Sequence, residues 1–241
     1  MTLTDFSAAL VAAYETGDRV TPKGPVPQSH ADAYAVQQDV MARFGPVGAY
    51  KVARKPGVAP IMAPIRADRI FVSGADVPII DAAGIELEVG FEILSAIPAG
   101  ATLAQITKAV RPRPVIEVVD TRIAGPLADD PIVKLADQQA SGALVIGAPL
   151  PSWDGSDFIR VDAHLSCDAT PVLEGAADVP AGSALTTVQT LADMIGDHCG
   201  GLQPGMFVIT GSLNGLPYFP IGTAVQGRID GLGAVSCQLV A

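Results

Sequence analysis

The chain has 241 residues, 49% of them apolar and 17% charged, a balance that suits one domain with a large core and excludes a disordered segment. With 25 acidic residues against 15 basic ones the formal net charge is −10, which argues against nucleic acid or an anionic membrane as a general partner. The three cysteines, Cys167, Cys199 and Cys237, are widely spaced and odd in number, so they read as reduced thiols and not as a disulfide framework or a zinc site.

The opening MTLTDFSAAL lacks the pattern of a signal peptide, and no apolar run is long enough to span a bilayer, so a soluble, cytoplasmic protein is expected. Residues 3–15 have apolar side chains at helical spacing, with Thr4 as N-cap. Residues 17–28 hold prolines and glycines and form an extended connector. Residues 29–44 are a second helix capped by Ser29. Together 1–47 are expected as a small N-terminal helical cap, and 48–241 as a β-rich catalytic domain. From residue 48 short apolar runs alternate with Gly and Pro. Residues 49–53 are a strand carrying Lys51, 57–66 read as loop, and 69–72 and 77–80 as short strands. After the strand at 84–94 come a helix over 102–109, a strand over 114–123, a short helix or loop over 132–139, and a strand over 142–146. Residues 158–167 and 170–173 form a hairpin, 183–199 the last helix, and 206–210, 224–229 and 234–239 the closing strands. This order predicts an α+β fold: a β-rich, mixed roll or barrel-like sheet with few helices.

Two stretches stand out. Residues 84–94 read GIELEVGFEIL, the composition of a buried strand, yet they contain Glu86 and Glu88. Residues two apart on a strand share a face, so these carboxylates stand side by side. Residues 114–123, PVIEVVDTRI, place Glu117 in a second such run. Burying carboxylates without a partner is costly, and a hard divalent cation such as Mg²⁺ or Mn²⁺ resolves the conflict. The alternative is that Glu86 and Glu88 lie on the solvated face of a half-buried strand. Lys51 either faces this site or snorkels to water. A cluster of Lys51, Arg54 and Lys55 offers a place for a small anion. Asp68 follows a proline-containing stretch and reads as a helix or turn cap, with Arg66 and Arg69 beside it as its structural partners. Asp137 braces its loop or joins Gln138 and Ser141 in contacting substrate. Thr210, Gly211 and Ser212 form a small polar turn suited to close approach of a ligand. Glu92 reads as a surface carboxylate and Asp120 as a partner of Arg122 or another cation. No histidine falls in these motifs, and the G-x-S-x-G elbow of a serine hydrolase is missing.

Several of these segments, in this order, resemble the fumarylacetoacetate hydrolase superfamily, in the branch of 2-keto-4-pentenoate hydratase and 4-oxalocrotonate decarboxylase. They are AYAVQQ (33–38), YKVA (50–53), PIRADRI (64–70), the two glutamate strands, ADQQASGALVIG (136–147), VITGSLNG (208–215) and GRIDGLGAV (227–235). The resemblance implies a mixed β-roll with Mg²⁺ or Mn²⁺ on Glu86, Glu88 and Glu117. It implies Lys51 and Asp68 as catalytic residues, and Asp137, Gln138, Ser141, Thr210, Gly211 and Ser212 around a small 2-oxo acid substrate. The reaction it implies first is addition of water to a 2-hydroxy-dienoate from aromatic catabolism. Decarboxylation of a 2-oxo-enedioate, C–C hydrolysis of an acylpyruvate, keto–enol tautomerisation, or non-catalytic binding of a keto acid are the alternatives. A homo-oligomer, dimer or larger, is also implied. The sequence departs from the branch at Tyr50, at Gln138 and Gln139, and at Arg54 and Lys55.

Overall fold

The computed structural model describes residues 2–241. In chain order it contains α1 (Leu3–Thr16), α2 (His30–Phe44), β1 (Val47–Lys55), β2 (Val58–Arg66), β3 (Ile70–Val72), β4 (Ala75–Pro78), β5 (Ala82–Ile93), α3 (Leu103–Ala109), β6 (Val110–Val119), α4 (Pro131–Ala136) and β7 (Ser141–Ile146), followed by β8 (Arg160–Cys167), β9 (Thr170–Asp178), α5 (Ala184–Met194), β10 (Phe207–Ile209), β11 (Tyr218–Pro220), β12 (Ala224–Ile229) and β13 (Gly233–Val240). One sheet runs β2-β1-β10-β5-β6-β7-β3, with β11 added to β5; a second runs β4-β13-β12-β8-β9.

The first sheet curls on itself. Lys51 of β1 reaches Glu117 of β6 although β10 and β5 lie between them in the ladder. Inside the curl Ala49, Ile65, Val115, Leu144, Ile146 and Ile209 form an apolar plug. The opposite face packs on the second sheet so closely that a Cβ at Gly227 of β12 would lie 2.7 Å from Leu87 Cδ1. β5 is therefore buried on both faces: Leu87 is inaccessible and Glu88 is 2% exposed. That removes the solvated-face alternative for Glu88.

The amphipathic stripes of α1 and α2 bury Phe6, Leu10, Val36 and Val40 against Ile123 and Val133. Ser29 caps α2, accepting a bond from the Asp32 amide at 3.1 Å. α1 begins at Leu3, where its spacing predicts, but its N-cap is Thr2 and not Thr4. The helix expected over 183–199 ends at Met194; Gly196 follows at φ 51°, a left-handed conformation that breaks the helical run.

The segment expected as loop at 57–66 is strand β2, paired antiparallel with β1. Its prolines, Pro60 and Pro64, suggested a loop because proline cannot donate to a ladder. β2 ends the ladder order, so the missing donors have no second neighbour to serve. Among the described residues no helix is long and apolar enough to cross a membrane.

Candidate metal centre and its surroundings

Glu86 and Glu117 are direct cross-strand partners on β5 and β6, and Glu88 lies two residues along on the same face. One carboxylate oxygen from each lies within 4.8 Å of the others. Lys51 points into this group, its Nζ 2.7 Å from Glu117 Oε1 and 3.3 Å from the Gln139 carbonyl oxygen. The Gly211 amide donates to Glu88 Oε2 at 2.6 Å.

Burial, then repulsion from Glu117, lifts the Glu86 carboxyl to about 7. Burial and repulsion from Glu117 and Glu86 hold Glu88 well above the usual carboxylate range. For Lys51 burial pulls the ammonium pKa down, but attraction to Glu117, Glu86 and Glu88 outweighs it, and the net shift is upward. One ammonium thus faces three carboxyl groups. Glu117 is fully buried, and its Oε2 has no hydrogen-bond partner. A buried bare carboxylate oxygen among oxygen donors suits a hard divalent ion, which would supply both the missing partner and the missing charge. Glu86, Glu88 and Glu117 are the residues that would hold it.

Gln139 reaches Lys51 because the backbone turns left-handed at three successive non-glycine residues, Gln138, Gln139 and Ala140, with φ of 52°, 53° and 56°. Such conformations cost about 1–2 kcal/mol each. The surroundings enforce them. Buried Asp137 accepts from Arg122 Nε at 2.7 Å, from the Arg122 amide at 3.0 Å and from Thr121 Oγ1 at 2.8 Å. Tyr14 donates to Gln138 Oε1 at 2.6 Å, and the Asp120 amide donates to the Ala140 carbonyl at 2.8 Å.

Most of the other expected site residues have hydrogen-bond partners of their own. Asp137 is a brace, with both oxygens taken up by Arg122 and Thr121. Gln138 is buried and committed to Tyr14. Ser141 is buried with its Oγ unpartnered, in a small recess beside Arg66 and Arg69. Thr210 is buried and donates to the Val89 carbonyl at 2.8 Å, which fixes the turn that presents the Gly211 amide. Ser212 donates its one hydroxyl proton to the Gly215 carbonyl at 2.7 Å.

Asp68 is not brought to the carboxylate group. It pairs with Arg66, Nε to Oδ1 at 2.9 Å, and lines a cavity of about 450 Å³ with Tyr14, Arg69, Asp120 and Arg122. Lys51 and Arg54 point apart: Arg54 reaches Thr187 Oγ1 on α5 at 3.3 Å, so the expected basic cluster is divided. Glu92, expected at the surface, is held between Arg111 and Arg113 at 2.9 and 2.8 Å. The Asp120 carboxylate pairs with Arg19 at 2.8 Å; Arg122 binds its carbonyl oxygen instead.

No family model matches the chain. A 4-oxalocrotonate decarboxylase of Pseudomonas putida is 25% identical over 127 residues, 53% of this chain and 48% of that protein, so this match spans about half of the relative's length. A 2-keto-4-pentenoate hydratase of Paraburkholderia xenovorans (strain LB400) is 26% identical over 95% of this chain and 92% of its own. Among solved structures, 4-oxalocrotonate decarboxylase from Pseudomonas putida G7, complexed with magnesium and adipate, superposes with a TM-score of 0.78 at 20% identity, covering 100% of this chain and 99% of that one. Fumarylpyruvate hydrolase from Pseudomonas aeruginosa, in complex with Mn²⁺ and pyruvate, gives 0.62 at 19% identity over 82% and 91% of the two chains. These likenesses show the fold: the chain shares a strand-rich, mixed architecture with curled sheets with both solved enzymes.

This curled mixed sheet is what brings β1, β5, β6 and the segment after β10 to one point. Sequence reading missed two contributors there. Gln139 acts through its backbone carbonyl, which has no sequence signature. Arg122 was assigned to Asp120, its near neighbour, and not to Asp137.

Proposed function

We propose that the chain is a metal-dependent lyase acting on a small 2-oxo or 2-hydroxy-dienoic acid, with addition of water to a 2-hydroxypenta-2,4-dienoate-like substrate as its reaction. The observation that carries this reading is the bare, fully buried Glu117 oxygen among three converging carboxylates with one lysine. When bound, Mg²⁺ or Mn²⁺ supplies Lewis-acid polarisation of a 2-oxo carboxylate. Lys51 holds a proton at Nζ at neutral pH, since its carboxylate neighbours favour the charged form. Of its three N–H donors, two are committed to Glu117 and Gln139. The third is free to donate to the substrate as its dienol ketonises. The Gly211 amide fixes Glu88. The extent of structural likeness to a decarboxylase supports a second reading, loss of CO₂ from a 2-oxo-enedioate on the same residues.

EDTA is expected to abolish turnover of a panel of 2-oxo acids, and Mg²⁺ or Mn²⁺ to restore it. Unchanged activity in chelator, or rescue by zinc alone, sinks the proposal.

The metal's affinity should also depend on pH in a set direction. The Glu86 carboxyl is neutral below about 7 in the metal-free protein. A ligand must be ionised, so binding releases its proton. Its raised pKa favours the metal-free fold at low pH and ceases to do so as pH rises through 7. Glu88 is held well above the usual range as well, so up to two protons must leave, and calorimetric Mn²⁺ titrations should show affinity climbing with pH throughout the range from 5.5 to 7.5. Affinity that falls as pH rises from 5.5 to 7.5 would contradict this.

A further inference from the structure

Of the three carboxylates Glu86 alone is not classed as buried, so the group opens to solvent on its side. The segment between β10 and β12 borders that opening. Asn214 clamps it to β5, accepting from the Leu87 amide at 2.7 Å and donating to the Ile85 carbonyl at 2.9 Å. Gly84 lies on the same face of β5 as Glu86 and pairs with Tyr218 of β11. A Cβ on Gly84 would lie 2.3 Å from Leu216 Cδ1 and 3.3 Å from Val119 Cβ, so the glycine leaves space that Leu216 fills. Leu216 and Tyr218 are nevertheless 39% and 56% exposed. Two large apolar side chains therefore stand in water at the mouth of a polar site, an arrangement typical of a ligand-contacting surface.

Charge at this mouth is one-sided. Burial raises the Tyr218 pKa, and the charges of Asp120, Glu86 and Asp129 push it the same way while Arg19 opposes them. Arg19 is already held in a fork by Asp81, at 2.8 and 2.7 Å, and by Asp120. A second carboxylate on a ligand would meet acids and a cation whose charge is spent.

We propose that Leu216 and Tyr218 form the wall against which the substrate's tail packs, and that they select 2-oxo acids with an uncharged, apolar tail over those with a second carboxylate. The inference rests on the metal-dependent reading only for where the 2-oxo carboxylate end sits. It favours the dienoate over the enedioate.

Calorimetry on the Mg²⁺-loaded full chain tests it with unreactive saturated ligands: pyruvate, 2-oxobutanoate, 2-oxopentanoate and 2-oxohexanedioate. Pyruvate has no tail and reports the shared end. Affinity should rise roughly two- to fourfold per methylene from pyruvate to 2-oxopentanoate, and the dianion should bind about tenfold more weakly than 2-oxopentanoate. Leu216→Ala and Tyr218→Ser should each reduce the methylene increment while leaving pyruvate affinity unchanged, and Leu216→Arg should raise affinity for the dianion. Methylene increments that survive both truncations overturn the wall and leave the metal reading intact. Preferred binding of 2-oxohexanedioate, lost in Lys55→Ala, overturns it by moving the tail to the β1–β2 turn. Absence of Mg²⁺-dependent pyruvate binding overturns both readings.

Discussion

Replacing Lys51 by Met is expected to lower the rate at saturating metal by roughly two to four decades, the usual range for a positioned acid–base group. The substitution keeps the apolar stem and removes only the ammonium. Its second expected effect is on the metal-free protein. Lys51 is the cation that faces Glu86, Glu88 and Glu117. Without it three closely set carboxyl groups, two of them buried, must take up protons or repel one another, so the metal-free melting temperature should fall at neutral pH. Mn²⁺ should still bind, because the ligand oxygens remain, and should recover most of that loss. Normal turnover in Lys51→Met would reduce the lysine to a structural counter-charge. Loss of Mn²⁺ binding in the folded variant would mean that Lys51 assembles the ligands.

Arg122→Met is expected to be the most destabilising single change near the site. The Arg122 side chain is 5% exposed and that of Asp137 1%. Besides Asp137, the guanidinium serves the carbonyl oxygens of Asp120, Asp137 and Ser141, and it lies 4.8 Å from the centre of the Tyr14 ring. Removing one partner of a buried pair leaves the other charge without compensation, at a cost of about 3–5 kcal/mol. For a chain of this size that corresponds to a fall of about 10 °C in melting temperature. The double variant Arg122→Met/Asp137→Leu removes both charges and should recover a substantial part of the loss. A single variant that melts within about 2 °C of the parent would show that the pair contributes little. Activity should fall with stability, since the left-handed turn that carries the Gln139 carbonyl is braced by this pair.

The glutamate strands were legible because a carboxylate in an apolar run contradicts its surroundings, and few arrangements resolve that contradiction. Lys51 was legible for the same reason. For Asp68 a catalytic acid and a partner of its flanking arginines were both open, and the structure pairs it with Arg66, two residues away. For Asp137 the residues alone left bracing its loop and contacting substrate both open, because its loop's partners are distant in sequence. Gln138 meets Tyr14 across 124 residues, a contact that no local pattern announces. The three left-handed residues are Gln, Gln and Ala, none of which favours that conformation, so only tertiary contacts explain them. β2 was misread because the edge position that excuses its prolines is a property of the whole sheet. The curl of that sheet was expected in kind; its strand order depends on pairings between segments far apart in the chain.

Those distant pairings bear on how the molecule acquires its site. Lys51 and Glu117 are separated by 66 residues, and Glu88 and Gly211 by 123. No short fragment contains the three ligands together with the lysine and amide that orient them, so the site arises only once the long-range ladder has closed, a slow event in chains of this topology. An ion that recognises this arrangement has little to hold in the unfolded chain. It therefore acts as a lock on the finished structure and not as a template for reaching it. Saturating Mn²⁺ should slow unfolding while leaving the refolding rate nearly unchanged, and at a hundred times its dissociation constant it would add about 2.7 kcal/mol to the folded state.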